Sequence, residues 1–218
     1  MAIDVEPQRE RRHQLGGRLK GLSLPRQVYV LAIWPLLEQF LAFLVGTVDL
    51  ALAGRLRPES VAVSATDALG VAGYVSWLMT MIHASVGVGV TALIARAIGG
   101  RHRRLANNAL GQAVALSLLS GVLVGLGAYG FAPWISHLIG LDGIGRDQSI
   151  QYLRIVSLAA VPSAILLVGT ASLRGAGDTR SPFAIMVVVN IVNMALSALF
   201  VFGPAPLGGH GVAGIASG

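Results

Sequence analysis

The chain has 218 residues, of which 54% are hydrophobic and 12% are charged, and its mean hydropathy is +0.71. A soluble domain normally carries about twice that charged fraction, so the composition excludes an ordinary soluble protein and predicts an all-α membrane protein. The formal charge of +6 does not indicate nucleic-acid binding, because the basic residues lie mostly outside the apolar runs and aromatic residues contribute only 6%.

Residues 1–25 form a polar and basic segment, which we expect to be cytoplasmic. No short apolar stretch with a small-residue cleavage site follows it, so the sequence does not predict a removed signal peptide. Residues 26–218 are predicted to form one transmembrane domain, a polytopic helical bundle in the cell membrane, either plasma or inner. The lipid bilayer is therefore the solvent for most of the chain.

Five apolar runs in this domain are long enough to cross about 30 Å of hydrocarbon. A sixth begins near residue 210 and is unfinished at Gly218. The second run is too long for one simple crossing, and we expect a weak point at Gly87-Val88-Gly89. The glycine-rich stretch 131–148 is predicted to be an external loop. The five runs are 28–53, 62–97, 105–129, 150–172 and 182–202.

Basic residues near the ends of these helices predict their orientation in the membrane. If the N-terminus is cytoplasmic, twelve arginine and lysine residues face the cytoplasm and four face outside. This positive-inside bias predicts a cytoplasmic N-terminus. The four outside residues are Arg55, Arg57, Arg146 and Arg154.

Asp49 is the strongest candidate for a functional residue, because it lies near the end of the first apolar run. A carboxylate at bilayer depth costs about 2.5–3.5 kcal/mol on insertion scales, so it indicates binding of a proton, a cation or a cationic substrate. The alternative is a place at the outer interface beside Arg55. Glu38 precedes Asp49 by about three helical turns, so both face nearly the same way about 16 Å apart. Pro35 favours a bend in this helix, and we predict that Pro35 and Glu38 belong to a movable cavity wall.

The fifth predicted helix carries Asn190, Asn193 and Ser197 at positions i, i+3 and i+7, which share one stripe. Beside a carboxylate, their oxygens suit Na⁺ or could orient a protonated carboxylic acid. We predict that Asp49 and these three residues form a proton- or cation-binding cluster, with interhelical hydrogen bonding as the alternative. His83 in the second run could relay protons, although a lone histidine is more often satisfied by a neighbouring carbonyl group.

Motifs for enzymatic chemistry are missing from the sequence. It contains no His-x-x-x-His metal pair, no Gly-x-Ser-x-Gly elbow and no phosphate loop with Gly-Lys-Ser or Gly-Lys-Thr. We therefore predict neither an enzyme nor an ATP-driven mechanism, and no cofactor. Na⁺ at the Asp49 cluster is the one metal ion that these residues suggest.

Four stretches of the chain resemble the multidrug and toxic compound extrusion family. The most specific is LRGAGDTRSP, residues 173–182, between the fourth and fifth predicted helices. The others are Val48-Asp49 followed by Ala53-Gly54-Arg55, ALIARAIGG at residues 92–100, and the Asn190/Asn193 helix that ends in Phe202-Gly203. They follow the family's order, so the resemblance extends from about residue 28 to the end.

The resemblance implies a twelve-helix transporter whose two six-helix lobes face each other in a V. This chain would be the N-terminal lobe, cut within its sixth helix, and its partner would be the missing C-terminal lobe. The family exports cationic or amphipathic organic compounds in exchange for H⁺ or Na⁺. Asp49 and Asn193 correspond to the family's site residues. Some members carry a second aspartate where this chain has Ser197, which leaves the identity of the coupling ion open.

Two other functions are alternatives. A related flippase of lipid-linked saccharides shares the broad architecture, but it would favour a strongly cationic cavity, whereas the intramembrane charges here are acidic. A non-transporting membrane scaffold would not need Asp49 or the Asn193 stripe in its interior. The sequence therefore favours ion-coupled efflux of a small organic cation or amphipathic compound.

Overall fold

The computed structural model of the protein describes residues 23–204 and 208–218, and all regular secondary structure in these ranges is α-helical. The predicted N-terminal segment 1–25 therefore lies almost entirely outside the described residues. The helices are α1 (Leu24–Gly54), α2 (Glu59–Gly99), α3 (Arg103–Leu138), α4 (Gly143–Leu158), α5 (Ala160–Gly175), α6 (Arg180–Phe202) and α7 (Gly211–Ser217).

Four of these helices, α1, α2, α3 and α6, are each long and apolar enough to cross a membrane. The consecutive helices α4 and α5 meet the same criterion only as a pair, which is bent by 50°. Large apolar side chains point outward, as expected where lipid surrounds the bundle: Phe43, Tyr74 and Leu126 are 68%, 77% and 68% exposed. The fold class predicted from the sequence, an all-α polytopic membrane bundle, is confirmed.

The bend between α4 and α5 differs from the single helix predicted at 150–172. Pro162 lies in the first turn of α5 and has no amide hydrogen to donate to the carbonyl of Leu158, four residues earlier. The chain turns at Ala159, whose amide bonds instead to the carbonyl of Val156 at 3.0 Å. The proline within the apolar run is therefore the local cause of the break.

The external loop predicted at 131–148 is wrong, because α3 continues to Leu138 and α4 begins at Gly143. Within the short turn, Gly140 and Gly143 adopt positive φ angles of 80° and 54°, which reverse the chain. The flanking residues are helical and packed, since the buried hydroxyl of Ser136 bonds to that of Ser149 on α4 at 3.0 Å. The glycines correctly indicated a turn, but the turn is much shorter than the predicted stretch 131–148.

The break expected at Gly87-Val88-Gly89 is absent, because α2 runs unbroken through these residues. A Cβ atom at Gly87 would lie 3.2 Å from side-chain atoms of both Ala171 and Leu167 on α5. This glycine therefore permits α2 and α5 to approach closely, which is a packing function rather than a source of flexibility.

The helices α2, α3, α4 and α5 pack together as one bundle, and α1 and α6 form a pair beside it. The short α7 packs against α6, α4 and α1. Near the turn between α1 and α2, a buried cluster joins four helices through Leu52, Ala65, Val201 and Ile215. This cluster fixes one end of the α1–α6 pair against the rest of the bundle.

Candidate functional site

α1 and α6 run parallel to each other. Contacts near both ends of the pair show which residues of the two helices lie side by side. At one end, the ring centroids of Trp34 and Phe183 are 5.3 Å apart. At the other end, Leu52 and Val201 belong to the same buried cluster. Leu52 follows Trp34 by 18 residues, and Val201 follows Phe183 by the same number. A position on α6 is therefore about level with the α1 position whose number is 149 lower, to within roughly one helical turn.

This register aligns the polar side chains of α1 and α6 in one column. Asn190 and Asn193 lie between the levels of Glu38 and Asp49, and Ser197 lies near the level of Asp49. Among the described residues, four polar atoms of this α1–α6 column are buried without a hydrogen-bond partner. They are Glu38 Oε1, Asp49 Oδ1, Asn190 Nδ2 and Asn193 Oδ1. Such unpartnered atoms are uncommon in protein interiors. The oxygens of Asp49 and Asn193 can accept a proton or a small cation, the Asn190 nitrogen is a donor, and Glu38 is already paired with Arg174.

The Asp49 side chain is half-buried, one helical turn before the buried Leu52. Tyr152 on α4 lies close enough for its phenol to interact electrostatically with the Asp49 carboxylate. Tyr152 also packs against the buried cluster around Leu52. Sequence reasoning missed Tyr152, whose only signal was a hydroxyl-bearing ring within an apolar run.

Ser197 is fully buried, and its hydroxyl donates to the carbonyl oxygen of Ile215 on α7 at 3.4 Å. The two helices approach closely, because a Cβ atom at Gly214 would lie 2.8 Å from backbone atoms of Phe200. The structure therefore joins Ser197 to α7. Asp49 and the two asparagines are the members of the predicted cluster that keep unpartnered atoms.

Glu38 is buried at the other end of the α1–α6 column and forms an ion pair with Arg174 at the end of α5. The Glu38 side chain is 8% exposed, and that of Arg174 is 32% exposed. Glu38 thus already has a counter-ion, whereas Asp49 keeps a buried oxygen without one. The two acids of α1 therefore differ in their surroundings although they share a helix face.

The LRGAGDTRSP segment comprises the end of α5, the α5–α6 turn and the start of α6, and it is held against neighbouring helices. A Cβ atom at Gly175 would lie 2.7 Å from the carbonyl oxygen of Thr91, so this glycine lets α5 touch α2. Asp178 accepts hydrogen bonds from the backbone amides of Arg180 and Ser181 at 3.0 and 3.1 Å. These bonds satisfy two otherwise free donors in the first turn of α6.

The same turn holds α1 at two points. The Arg180 guanidinium lies 5.3 Å from the centre of the Trp34 ring, and Arg174 pairs with Glu38. Pro35 lies between these two contacts, inside α1, and cannot donate to the carbonyl of Leu31. The part of α1 that lacks a backbone hydrogen bond, at Pro35, therefore lies between the contacts of Trp34 with Arg180 and of Glu38 with Arg174.

His83 is buried within α2, with 3% of its surface exposed, and its ring lies beside the backbone of Ser120 on α3. A neighbouring backbone group was the alternative to proton relay that the sequence analysis gave for this histidine. Its Nε2 atom has no hydrogen-bond partner in the described part of the chain. A relay function for His83 stays a prediction.

No group of three His, Cys, Asp or Glu side chains forms a candidate metal site within residues 23–204 and 208–218. The part of the α1–α6 column without a counter-ion offers one carboxylate, that of Asp49, and two amide side chains, those of Asn190 and Asn193. This set offers too few charged oxygens for a divalent ion and fits a proton or a monovalent cation better.

Known proteins resemble this chain over most of its length. A family model described as MatE matches residues 36–199. A probable multidrug resistance protein NorM from Thermotoga maritima is 27% identical over 198 residues, which cover 89% of this chain and 41% of the relative. An FAD transporter from Shewanella oneidensis is 29% identical over 195 residues, which cover 88% of this chain and 39% of the relative. The chain thus spans about two fifths of the length of the curated relatives it matches.

Solved structures are similar over the same share of the chain. A structure of MATE in the bent conformation has a TM-score of 0.78 and 26% identity, and the match covers 88% of this chain and 41% of that one. A structure of MATE in the straight conformation has a TM-score of 0.77 and 25% identity, with the same coverage. The helical bundle therefore has a counterpart within each of these longer chains.

Proposed function

Because the family model matches residues 36–199, this chain belongs to the MatE family, and on that premise we propose that the protein is a secondary active efflux transporter. It exports cationic or amphipathic organic compounds in exchange for H⁺ or Na⁺. The relatives named for multidrug resistance support export of such compounds. Because the chain spans 41% of the Thermotoga relative, we further propose that a second lobe faces this one in the working transporter.

One observation carries the proposal. The Asp49 carboxylate and the Asn193 amide each keep a buried oxygen without a hydrogen-bond partner among the described residues. A charged carboxylate at bilayer depth costs about 2.5–3.5 kcal/mol on insertion scales, and binding a positive charge offsets this cost. Glu38 does not need such a partner, because Arg174 already neutralises it. Asp49 is therefore the acid of α1 that can exchange one positive occupant for another.

The exchange follows from the charge of Asp49. When the carboxylate is ionised, it attracts a cationic compound or Na⁺ to the α1–α6 column. When H⁺ or Na⁺ arrives from outside and neutralises it, this attraction is lost and the compound is released. The phenol of Tyr152 lies within electrostatic reach of the ionised form, and the amides of Asn190 and Asn193 supply further polar groups along the column.

Movement of α1 couples this exchange to the two lobes. Pro35 removes one backbone hydrogen bond, and the contacts of Trp34 and Glu38 hold the helix on either side of it. We propose that α1 changes its bend at Pro35 when Asp49 changes its occupant, and that rocking of the lobes alternates access. The bent and straight conformations of similar solved structures support a two-state element in this family.

The end of the lobe that carries the α5–α6 turn faces the cytoplasm in this proposal. Positive residues near helix ends favour the cytoplasmic side. Of the arginines in the described ranges, seven lie near this end, against four near the opposite end. The seven are Arg26, Arg96, Arg101, Arg103, Arg104, Arg174 and Arg180. We accordingly propose a cell-membrane protein, in the plasma or inner membrane, with a cytoplasmic N-terminus.

An anionic cargo is the second candidate, because one similar protein is an FAD transporter. A flavin nucleotide, like a pyrophosphate-linked saccharide, would need positive charge in the cavity. In the α1–α6 column, however, the charged group without a counter-ion is Asp49, and the guanidinium of Arg174 is held by Glu38. This distribution favours a cation or an amphipathic compound.

The test is Asp49→Asn in the full-length protein, reconstituted in liposomes with an imposed H⁺ or Na⁺ gradient. We expect gradient-driven efflux of dye cations to be abolished, while helix content by circular dichroism stays unchanged. Asp142→Asn is the matched control, since Asp142 is exposed in the α3–α4 turn and makes no capping hydrogen bond. Unchanged efflux by the Asp49 variant at equal expression would overturn the proposal. Gradient-driven transport of FAD but not of dyes by the wild type would establish the second candidate.

A further inference from the structure

An apolar groove of about 520 Å³ lies near the end of the lobe that carries the α2–α3 and α5–α6 turns. Residues of α2, α3, α5 and α6 line it. Its wall contains two hydroxyl groups, but Thr170 and Ser172 donate to carbonyls of their own helix at 3.0 and 2.7 Å. The groove surface is consequently hydrocarbon along most of its length. Its main apolar residues are Ile94, Ile98, Leu110, Leu166 and Ile185.

A basic loop lies directly at one end of this groove. Ile98 lines the groove from the last turn of α2, and Asn107 lines it from the second turn of α3. Between them lie Arg101, Arg103 and Arg104, all exposed. Together with His102 they form a pocket of their own. The groove is therefore apolar inside and positively charged at its mouth.

The spacing along α3 joins the two parts into one surface. Arg103, Asn107 and Leu110 are at positions i, i+4 and i+7, so they lie on one stripe of the helix. Along this stripe a cation, an amide and an apolar side chain follow each other over about 10 Å. A phospholipid presents the matching sequence of groups, with a phosphate, then ester carbonyls, then an acyl chain.

We propose that this groove binds an anionic phospholipid of the cytoplasmic leaflet, with the phosphate at Arg103 and Arg104 and one acyl chain against Ile94 and Leu110. The Asn107 amide then donates to an ester carbonyl of the lipid. Charge complementarity selects the occupant, because several arginines without acidic neighbours in the loop face a negatively charged membrane surface. The proposal rests on the orientation given above, in which the α2–α3 turn is cytoplasmic.

The backbone of the loop supplies one further feature. Arg101 has a φ angle of 59°, in the region that glycine usually occupies after a helix. The amides of Arg101 and His102 bond back to the carbonyls of Ile98 and Ala97 at 2.9 and 2.8 Å, as in a glycine-terminated helix end. An arginine is thus present where glycine would be less strained. Arg101→Gly removes its charge without disturbing the turn, which makes it a clean test variant.

The experiment measures lipid retention by the full-length protein in nanodiscs that contain phosphatidylcholine and phosphatidylglycerol. Native mass spectrometry after partial delipidation gives the ratio of the two lipids bound. We expect the wild type to retain phosphatidylglycerol preferentially. Arg103→Gln/Arg104→Gln should reduce this preference about 30-fold, or about fivefold for each arginine lost near the membrane surface. Arg101→Gly should reduce it about fivefold.

Arg55→Gln/Arg57→Gln is the matched control, because it removes the same charge at the opposite end of the lobe and should leave the preference unchanged. Gly169→Phe tests the groove itself. Gly169 lines the groove with open space around it, so a phenyl ring there should displace the acyl chain and lower retention of both lipids. An equal effect of the Arg55/Arg57 control would overturn the proposal. So would unaltered retention by Gly169→Phe, or displacement of the lipid by glycerol phosphate alone.

A labelling experiment separates this inference from the proposed function. These 218 residues contain no cysteine, so Arg104→Cys introduces one thiol into this lobe, and any native cysteine of the full-length protein is first replaced by serine. An impermeant maleimide should label it only when the cytoplasmic face is accessible. Labelling from outside would contradict the proposed orientation and the lipid site together. Cytoplasmic labelling with no preference for phosphatidylglycerol would reject the lipid site and leave the proposed efflux function intact.

Discussion

Glu38 on α1 and Arg174 on α5 form an ion pair although 136 residues separate them in the sequence. The pair lies beside the contact between Arg180 and Trp34, so together they fasten α1 to the α5–α6 turn. Because Arg174 neutralises Glu38, Asp49 is the acid of α1 left without a counter-ion. The different functions that we assign to the two acids therefore follow from their partners, since their sequence surroundings are similarly apolar.

Arg174→Gln should destabilise the lobe by about 3 kcal/mol, because Glu38 would be buried without its counter-ion. We expect the lower end of the range for a broken buried pair, since the Arg174 side chain is 32% exposed. Glu38→Gln should cost less, because a neutral amide is easier to bury. The double variant should recover most of the loss. Chemical and thermal unfolding in detergent measure these differences.

Arg96→Gln is the control for this series, because Arg96 is exposed near the end of α2 and its replacement removes the same charge. It should leave the unfolding midpoint unchanged. If Arg174→Gln were as stable as the wild type, or if the double variant lost more than the two single variants together, the ion pair would not fasten α1 to α5.

Two glycines of α5 should respond in opposite ways to alanine. A Cβ atom at Gly175 would lie 2.7 Å from the Thr91 carbonyl oxygen, and this backbone atom can move only if α2 shifts. A Cβ atom at Gly169 would meet nothing within 4 Å. Gly175→Ala should therefore cost about 1–3 kcal/mol through overpacking, whereas Gly169→Ala should add up to about 1 kcal/mol of helix stability. Similar unfolding midpoints for the two variants would contradict the close approach of α2 and α5.

The sequence predicted the polar residues of the α1–α6 column but not how they are partnered. Asp49 and Asn193 can be identified from the sequence alone, because a polar side chain within a membrane-length apolar run is costly to place in lipid. This signal requires no knowledge of the neighbouring helices. The pairing of Glu38 with Arg174 depends on how α5 packs against α1, which no local pattern encodes. Tyr152 was not predicted as part of the site for the same reason, because only the packing of α4 brings it close to Asp49.

For the helices too, some features follow from the local sequence and others depend on how the helices pack together. Apolar length sufficed to predict α1, α2, α3 and α6 as helices long enough to cross a membrane, because a crossing needs about 20 apolar residues whatever it packs against. The fifth predicted run, 150–172, instead belongs to the bent pair α4–α5. The interpretation of glycines failed at Gly87 and in the stretch 131–148, because a glycine can end a helix or let two helices touch. Only the neighbouring helix distinguishes these cases. The break before Pro162, by contrast, had a local cause that the sequence contained.

Ser197→Asp should destabilise this lobe, although some family members are expected to carry an aspartate at this position. Ser197 is fully buried, and its hydroxyl donates to the Ile215 carbonyl, which a carboxylate cannot do when ionised. A buried charge without a counter-ion costs about 3–5 kcal/mol. Ser197→Ala, the control, loses one long hydrogen bond and should cost about 1 kcal/mol or less. Normal folding of the aspartate variant, with binding of a second coupling ion, would show that α7 does not cover Ser197 in the working transporter.

Pro35→Ala should slow transport without weakening the fold. Alanine restores the amide hydrogen that can bond to the Leu31 carbonyl, so α1 gains a backbone hydrogen bond and resists a change of bend at this point. If bending then costs about 1.4 kcal/mol more, the turnover number falls about tenfold, while the affinity for a dye cation in the resting protein is unchanged. Pro133→Ala in α3 is the matched control, since Pro133 also lies inside a helix but on no element that we expect to move. Liposome transport and equilibrium dye binding, measured on both variants, test this. Equal turnover of the two proline variants, or a loss of dye affinity in Pro35→Ala alone, would show that α1 does not bend at Pro35 during transport.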